Sequence, residues 1–195
     1  SIHQCISPTA TPTSAPTPTP PLGMHSAICD LLASTNIATR ASALGWSGWS
    51  CSGSVATGLC YSVWTGITCS SGVVTAIDID SSSISGSLPT SVGSLTGITI
   101  FELYGNSFEG TIPQSLGSMT NLEYVLLHAN SFTGSIPSSV SKLLKMVNFH
   151  INSNSLSGSI PSEFGSLTKM QLLRLDDNDL TGTIPSTIGS LLKLA

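Results

Sequence analysis

A repeat of 24 residues runs from residue 71 to the end of the chain and constrains its fold more than any other feature. Glycine recurs at this interval, and proline recurs three positions after each glycine. The positions are Gly86, Gly110, Gly134, Gly158 and Gly182, with Pro89, Pro113, Pro137, Pro161 and Pro185. Asparagine keeps the same interval at Asn106, Asn130, Asn154 and Asn178, with Ser82 in the first slot. Three residue types that hold one register through about five turns predict a solenoid, in which each turn of the chain stacks on the next.

Apolar residues occupy fixed positions relative to this asparagine. The slots three, five and eight residues before it are apolar in every repeat. They hold Ile79, Leu103, Leu127, Ile151 and Leu175; Ile77, Phe101, Val125, Phe149 and Leu173; and Val74, Ile98, Leu122, Met146 and Met170. The two nearer slots alternate with the period of a strand, and stacked turns place each apolar side chain about 4.8 Å from its counterpart. We therefore expect an α/β solenoid, a right-handed superhelix with a parallel sheet along its concave side.

The repeated asparagine, glycine and proline have structural explanations. The asparagine follows the strand, where its amide satisfies backbone groups that burial would otherwise leave unpaired. Glycine permits tight or left-handed backbone, and proline closes the segment at a position that need not donate a hydrogen bond. None of these residues is therefore a candidate for a binding or catalytic site.

The composition excludes several classes of protein. Only 8% of the 195 residues are charged, against about 25% in an average globular protein. Hydrophobic residues make up 40%, so most of the chain is expected to bury a core. A net charge of −4 with six basic residues excludes a nucleic-acid-binding surface and a polybasic membrane-binding segment. No stretch approaches the roughly 18 apolar residues of a membrane-spanning helix.

Three segments follow along the chain. Residues 1–23 form a Pro/Thr/Ser-rich linker, residues 24–72 an N-terminal cap, and residues 73–195 the repeats. Alternating proline with threonine and serine favours an extended spacer and is typical of O-glycosylated stalks, with a bare flexible linker as the alternative. The O-glycan candidates are Thr9, Thr11, Thr13, Ser14, Thr17 and Thr19. In the cap, residues 24–40 place apolar residues at helical spacing and predict a short amphipathic helix.

All five cysteines lie before the middle of the chain, and none forms a CxxC pair of the zinc or redox kind. Clustering at one end favours disulfides that staple the cap, and so an oxidising compartment on the secretory route. We expect the pairs Cys29–Cys51 and Cys60–Cys69. Cys5 is then unpaired, or is left for an upstream or intermolecular partner.

The repeat motif Asn-x-φ-x-Gly-x-Ile-Pro-x-x-φ-Gly-x-Leu, where φ is apolar, resembles the plant-type extracellular leucine-rich repeats. These occur in receptor-like kinase ectodomains, polygalacturonase-inhibiting proteins, and algal and protist surface proteins. The segment CYSVWTGITC at 60–69 is similar to the end of that family's cap. Two departures are Ser82 in place of the first asparagine and Ser141 in place of a glycine found at 93, 117, 165 and 189. The chain also stops part-way into a sixth repeat, so we expect it to be a truncated fragment.

In such a solenoid, the outward side chains of the parallel strands form the concave face. Tyrosine, histidine and arginine on a rigid, shallow surface favour recognition. The candidate binding residues are Glu102, Tyr104, Tyr124, Leu126, His128, His150, Asn152, Arg174 and Asp176. The alternative is a merely solvated sheet, with the partner bound at an edge or on the convex side.

These features predict a non-catalytic recognition module, extracellular or on the cell surface, that binds a protein, peptide or polysaccharide. No catalytic motif, metal site or cofactor site is predicted, because an open solenoid has no water-excluding pocket to tune acid–base groups. One alternative is a structural building block of a wall, fibre or surface coat, assembled through the linker and Cys5. A more remote alternative is ice binding by the hydroxyl column Ser87, Thr111, Ser135, Ser159 and Thr183.

Overall fold

The computed structural model describes residues 22–37, 39–40, 65–71 and 73–195. One α-helix, α1 (Leu22–Ala33), precedes eleven short strands. They are β1 (Ile67–Ser70), β2 (Val73–Asp78), β3 (Ser85–Ser87), β4 (Ile100–Glu102), β5 (Ser107–Thr111), β6 (Tyr124–Leu126), β7 (Ser131–Ser135), β8 (Asn148–His150), β9 (Ser155–Gly158), β10 (Leu172–Arg174) and β11 (Asp179–Leu180). Among these residues, no helix combines the length and apolarity needed to cross a membrane.

The predicted parallel sheet is present and begins with a hairpin. Its order is β1-β2-β4-β6-β8-β10, with β1 antiparallel to β2 and the other pairs parallel. Residues 24 apart in the sequence pair across neighbouring strands, as Asp78 pairs with Glu102 and Leu126 with His150. This register places equivalent residues of successive repeats side by side across the sheet.

A second parallel sheet, which the sequence analysis did not predict, forms the other side of each turn. Its order is β11-β9-β7-β5-β3. Phe108 and Phe132 point inward from β5 and β7 and stack with ring centroids 6.0 Å apart. The apolar slot two residues after each asparagine therefore supplies the inner side of a strand.

One hydrophobic core runs between the two sheets from α1 to the last turn. The predicted apolar slots are buried from Val74 to Met170, and only Leu173 and Leu175 on the last strand are partly buried. The cap contributes Ile28, Leu31 and neighbouring apolar residues of α1 to the same core. Cap and repeats therefore share a single core.

The repeated asparagines bond as predicted. The Asn130 Oδ1 accepts the Phe108 amide at 2.9 Å, and its Nδ2 lies 3.0 Å from the Leu103 carbonyl oxygen in the preceding turn. The same Nδ2 lies 3.1 Å from the Leu127 carbonyl oxygen in its own turn. Asn106, Asn154 and Asn178 repeat this pattern. Each asparagine thus satisfies backbone groups of two turns, which is a structural role.

A five-residue 3-10 helix follows each repeat proline and was not predicted. The first spans Thr90–Ser94, and the next is Gln114–Ser118. A Cβ on Gly117 would overlap the backbone of Ser139 in the next turn, so glycine lets these helices stack in close contact. At Ser141, where the glycine is replaced, the two flanking 3-10 helices are in less extensive contact.

The helix predicted over residues 24–40 differs from the structure. It begins at Leu22, inside the segment predicted as linker, and ends at Ala33. Thr35 and Asn36 instead pair with the edge strand β3, where Asn36 Oδ1 accepts the Ser85 amide at 2.8 Å. Bonding to the first repeat therefore ends the helix, because the chain leaves the helical path to make these contacts.

Several sequence predictions lie outside the described residues. They concern the linker at 1–21, its O-glycan candidates, and Cys5, Cys51 and Cys60. Cys29 and Cys69 are disulfide-bonded. The pairings Cys29–Cys51 and Cys60–Cys69 remain predictions.

Candidate functional site

The outward side of the six-stranded sheet brings the predicted binding residues together, and we call it the sheet face. Glu102, Leu126, His150 and Arg174 end strands β4, β6, β8 and β10, and they lie side by side in register. Tyr104, His128, Asn152 and Asp176 form a parallel row two residues further along. Tyr124 begins β6, beside Asn148 of β8. All nine predicted residues thus occupy one continuous surface.

Aromatic rings form the centre of the sheet face. The Tyr104 and His128 rings are stacked, with centroids 4.6 Å apart and planes within 6°. The His150 ring meets His128 edge to face at 5.9 Å. These contacts hold three polar rings in fixed orientations on three adjacent strands, which limits the entropy lost when a partner binds.

The two histidines favour the neutral form. Burial lowers the pKa of His128, and the charge of Arg174 lowers it further. Burial is also the main cause of the lowered pKa of His150, with added repulsion from His128 and Arg174. The centre of the sheet face is therefore aromatic and uncharged at neutral pH.

Carboxylates occupy the β2–β4 end of the sheet face. Burial raises the pKa of Asp78, and the charge of Asp80 raises it further. Burial followed by the charges of Asp78 and Asp80 raises the pKa of Glu102. The pKa of Tyr104 is raised chiefly by the charge of Asp80. These three carboxylates therefore lie close enough to repel one another.

An ion pair occupies the β10 end. The Arg174 guanidinium lies 3.1 Å from the Asp176 carboxylate, and both side chains are half exposed. Its hydrogen bond lowers the pKa of Asp176. Because Asp176 neutralises Arg174, the acidic end has no counterpart of free positive charge on this face.

Asn152 is the most buried polar residue of the sheet face. Its side chain is 7% exposed, and its Oδ1 has no hydrogen-bond partner within the described part of the chain. The His128 Nδ1 and His150 Nε2 share this condition. Three unsatisfied polar atoms on neighbouring positions mark this region as one where a bound partner would recover hydrogen-bond energy.

Sequence reasoning missed one residue of the face and gave too little weight to two others. Ile100 lies half-buried on β4, beside Tyr124 in register. Its position 24 residues before Tyr124 was the available signal. Asp78 and Asp80 were placed on the concave strands but were left out of the binding set. The ring contacts gave no sequence signal, because they depend on side-chain rotamers.

The outward side of the other sheet, which we call the hydroxyl face, is chemically distinct. It presents exposed serine and threonine in register, such as Thr111, Thr133 and Ser155 on β5, β7 and β9. The Thr133 hydroxyl also donates to the Gly110 carbonyl at 3.3 Å, which fixes its orientation. The predicted hydroxyl column Ser87, Thr111, Ser135, Ser159 and Thr183 is exposed on this side of the repeats.

Within the described ranges, no group of three histidine, cysteine, aspartate or glutamate residues is arranged to hold a metal ion. Asp78, Asp80 and Glu102 are near enough to interact electrostatically but do not converge on one point that a metal could occupy. The sheet face therefore offers charge, rings and hydrogen-bond groups spread over several strands. Such an arrangement suits an extended partner.

A family model described as Leucine Rich Repeat matches residues 121–143, 145–167 and 169–191. A sequence search of curated proteins gives no match. Solved structures are similar. The leucine-rich-repeat ectodomain of the Arabidopsis thaliana receptor kinase GASSHO1/SCHENGEN3, in complex with CASPARIAN STRIP INTEGRITY FACTOR 2, is 34% identical with a TM-score of 0.68. The match covers 70% of this chain and 17% of that one.

Two further structures from Arabidopsis thaliana are similar. The BIR3–SERK2 complex gives a TM-score of 0.71 at 28% identity and covers 86% of each chain. The HAESA ectodomain in complex with an extended IDA peptide hormone gives 0.61 at 26% identity, covering 80% of this chain and 31% of that one. These comparisons match the family resemblance given by the repeat motif.

Proposed function

We propose, from the leucine-rich repeats of plant extracellular type that this chain carries, that it is a non-catalytic recognition module that binds a protein or peptide on its sheet face. The stacked Tyr104–His128 pair is the observation that carries this proposal. Tyrosine side chains on a rigid surface provide much of the binding energy in recognition interfaces at little entropic cost. Ile100 and Leu126 add apolar area beside them.

The compared structures support the ligand class. Two of them are ectodomains bound to a peptide hormone or to a named factor, and one is a complex between two ectodomains. We infer an extracellular or cell-surface location for this chain from the same likeness. Binding of a polysaccharide stays a prediction from the sequence.

A binding screen tests the proposal. Wild-type protein and the variant Tyr104→Ala/Tyr124→Ala are compared against immobilised peptides and secreted proteins. Ligands of the wild type are expected to lose about ten-fold or more in affinity, since one buried aromatic anchor contributes more than about 1 kcal/mol. The matched control is Thr133→Ala/Ser157→Ala on the hydroxyl face, which is expected to bind like the wild type. Unchanged binding of every ligand to the tyrosine variant would show that the sheet face is not the recognition surface.

A second candidate, ice binding, is favoured by the hydroxyl face. Strands about 4.8 Å apart place its exposed hydroxyls in a regular two-dimensional array. A depression of the freezing point below the melting point, lost on Thr133→Tyr, would support this function. Equal freezing and melting points in the wild type would exclude it. The other alternative, a wall or coat building block, depends on the linker and Cys5, which lie outside the described residues.

A further inference from the structure

The β2–β4 end of the sheet face carries a negative charge that nothing described balances. Asp78 and Glu102 are direct neighbours across two strands, and Asp80 lies two residues beyond Asp78. Within the described residues the one ion pair is Arg174–Asp176, at the opposite end of the sheet. The stretch 41–64 contains no lysine, arginine, aspartate or glutamate. The charged side chains of the chain therefore leave this site short of a cation.

The carboxylates are held partly out of water in spite of their mutual repulsion. Burial is the largest cause of the raised pKa of both Asp78 and Glu102, and the neighbouring carboxylates raise both pKa values further. A bound cation would remove this repulsion and restore the ordinary charged form of both groups. Folding alone does not account for such an arrangement, because exposed serine or threonine at these positions would avoid the repulsion.

The missing cation has the size of an organic group and not of a metal ion. No three acidic, histidine or cysteine side chains of the described chain are arranged to share one metal ion. A guanidinium is planar, presents five donors and bonds two carboxylates at once. The ring of Tyr104 lies beside Asp80, where a guanidinium would also gain a cation–π contact.

A second observation places the rest of the partner on the same face. The Asn152 side chain is more than nine-tenths buried, and its Oδ1 accepts no hydrogen bond within the described chain. A small rotation of this amide would present the oxygen to an N–H of a partner lying over β6 and β8. The distance from β2 to β8 is three strand spacings, or about 14 Å, which about four extended residues span.

We propose that the partner is a basic peptide segment in extended conformation, with an arginine over Asp78, Asp80 and Glu102 and a backbone donor toward Asn152. The segment crosses the strands of the sheet face and covers the Tyr104–His128 stack. This inference rests on the proposed function, since it names the class of partner that the sheet face takes.

Fluorescence anisotropy of a short labelled peptide of alternating glycine and arginine tests this, at about 0.15 M ionic strength so that long-range attraction is screened. The test variant is Asp78→Asn/Asp80→Asn/Glu102→Gln. The matched control, Glu109→Gln/Glu163→Gln/Asp179→Asn, removes three exposed carboxylates away from the sheet face. Both variants change the net charge from −4 to −1.

The test variant is expected to lose about ten-fold or more in affinity and the control less than about two-fold. Asn152→Leu is expected to weaken binding as well. Equal losses in the test and control variants would overturn the proposal, because they would show general attraction to an acidic protein. Equal or tighter binding of the matching glycine–glutamate peptide would also overturn it. Urea unfolding of the test variant checks its fold, which is expected to be retained because repulsion between carboxylates is removed.

The two proposals fail in different ways. If screened ligands lose affinity for Tyr104→Ala/Tyr124→Ala but not for the acidic-end variant, the sheet face is the recognition surface and the basic partner is wrong. If neither variant changes the binding of any ligand, the recognition function of the sheet face is itself wrong.

Discussion

Each repeat asparagine connects two turns of the chain through a single amide. Asn130 accepts from the Phe108 amide and lies within hydrogen-bond distance of two carbonyl oxygens in the turns it joins. Asn121 is also an asparagine of the repeats, but its hydrogen bonds to Thr96 and Lys145 are exposed. The same residue type therefore has different roles at the two positions.

Asn130→Ala is expected to lower the free energy of unfolding by about 2–4 kcal/mol, because it leaves several part-buried backbone groups without partners. Asn121→Ala is expected to cost less than about 0.5 kcal/mol, since water replaces its bonds. Urea unfolding followed by circular dichroism measures both. Similar losses for the two variants would contradict the structural role assigned to Asn130.

The histidines of the sheet face make stability depend on pH. Burial lowers the pKa of His128 and of His150 in the folded state. The unfolded chain therefore binds more protons as the pH falls through about 6.5, and the folded state loses stability below that pH. The stabilising difference is fully present above this range.

His128→Gln/His150→Gln is expected to reduce the loss of urea stability between neutral pH and pH of about 5.5. The comparison with wild type removes the contributions of the other titrating groups. A wild-type midpoint that falls no more steeply than that of the variant would contradict the lowered pKa values.

At the scale of elements, glycine sets how closely the 3-10 helices stack. A Cβ on Gly117 would meet the backbone of Ser139 in the next turn, whereas a Cβ on Gly189 would meet nothing. Both glycines are in 3-10 helices of the same length. They differ in the neighbour and not in the local conformation.

Gly117→Ala is therefore expected to destabilise the protein by about 1–3 kcal/mol through overpacking against the next turn. Gly189→Ala is expected to be neutral or slightly stabilising, by up to about 1 kcal/mol, because alanine has less freedom in the unfolded chain. Thermal unfolding of both variants measures the difference. Equal effects would show that backbone conformation, and not stacking, explains the glycine.

At the scale of the whole molecule, the 24-residue period predicted the six-stranded sheet and the core, because burial imposes residue type at fixed slots. Phe101, Val125 and Phe149 are buried where the period placed them. The second sheet was missed because its outward residues are serine and threonine, which are also typical of turns.

Only part of the candidate site was predictable. Alternation along the strands placed Tyr104 and His128 on one face, but their stacking depends on rotamers that packing selects. The end of α1 at Ala33 was missed for a similar reason. It depends on the bond between Asn36 and Ser85, which are far apart in the sequence.

The most direct test is nuclear magnetic resonance of the amide groups, with and without the tightest ligand of the screen. If the sheet face is the recognition surface, the resonances of residues 102–104, 126–128 and 150–152 shift on binding. Those of residues 107–111, 131–135 and 155–159, on the hydroxyl face, stay in place. Shifts confined to the second group would contradict recognition by the sheet face.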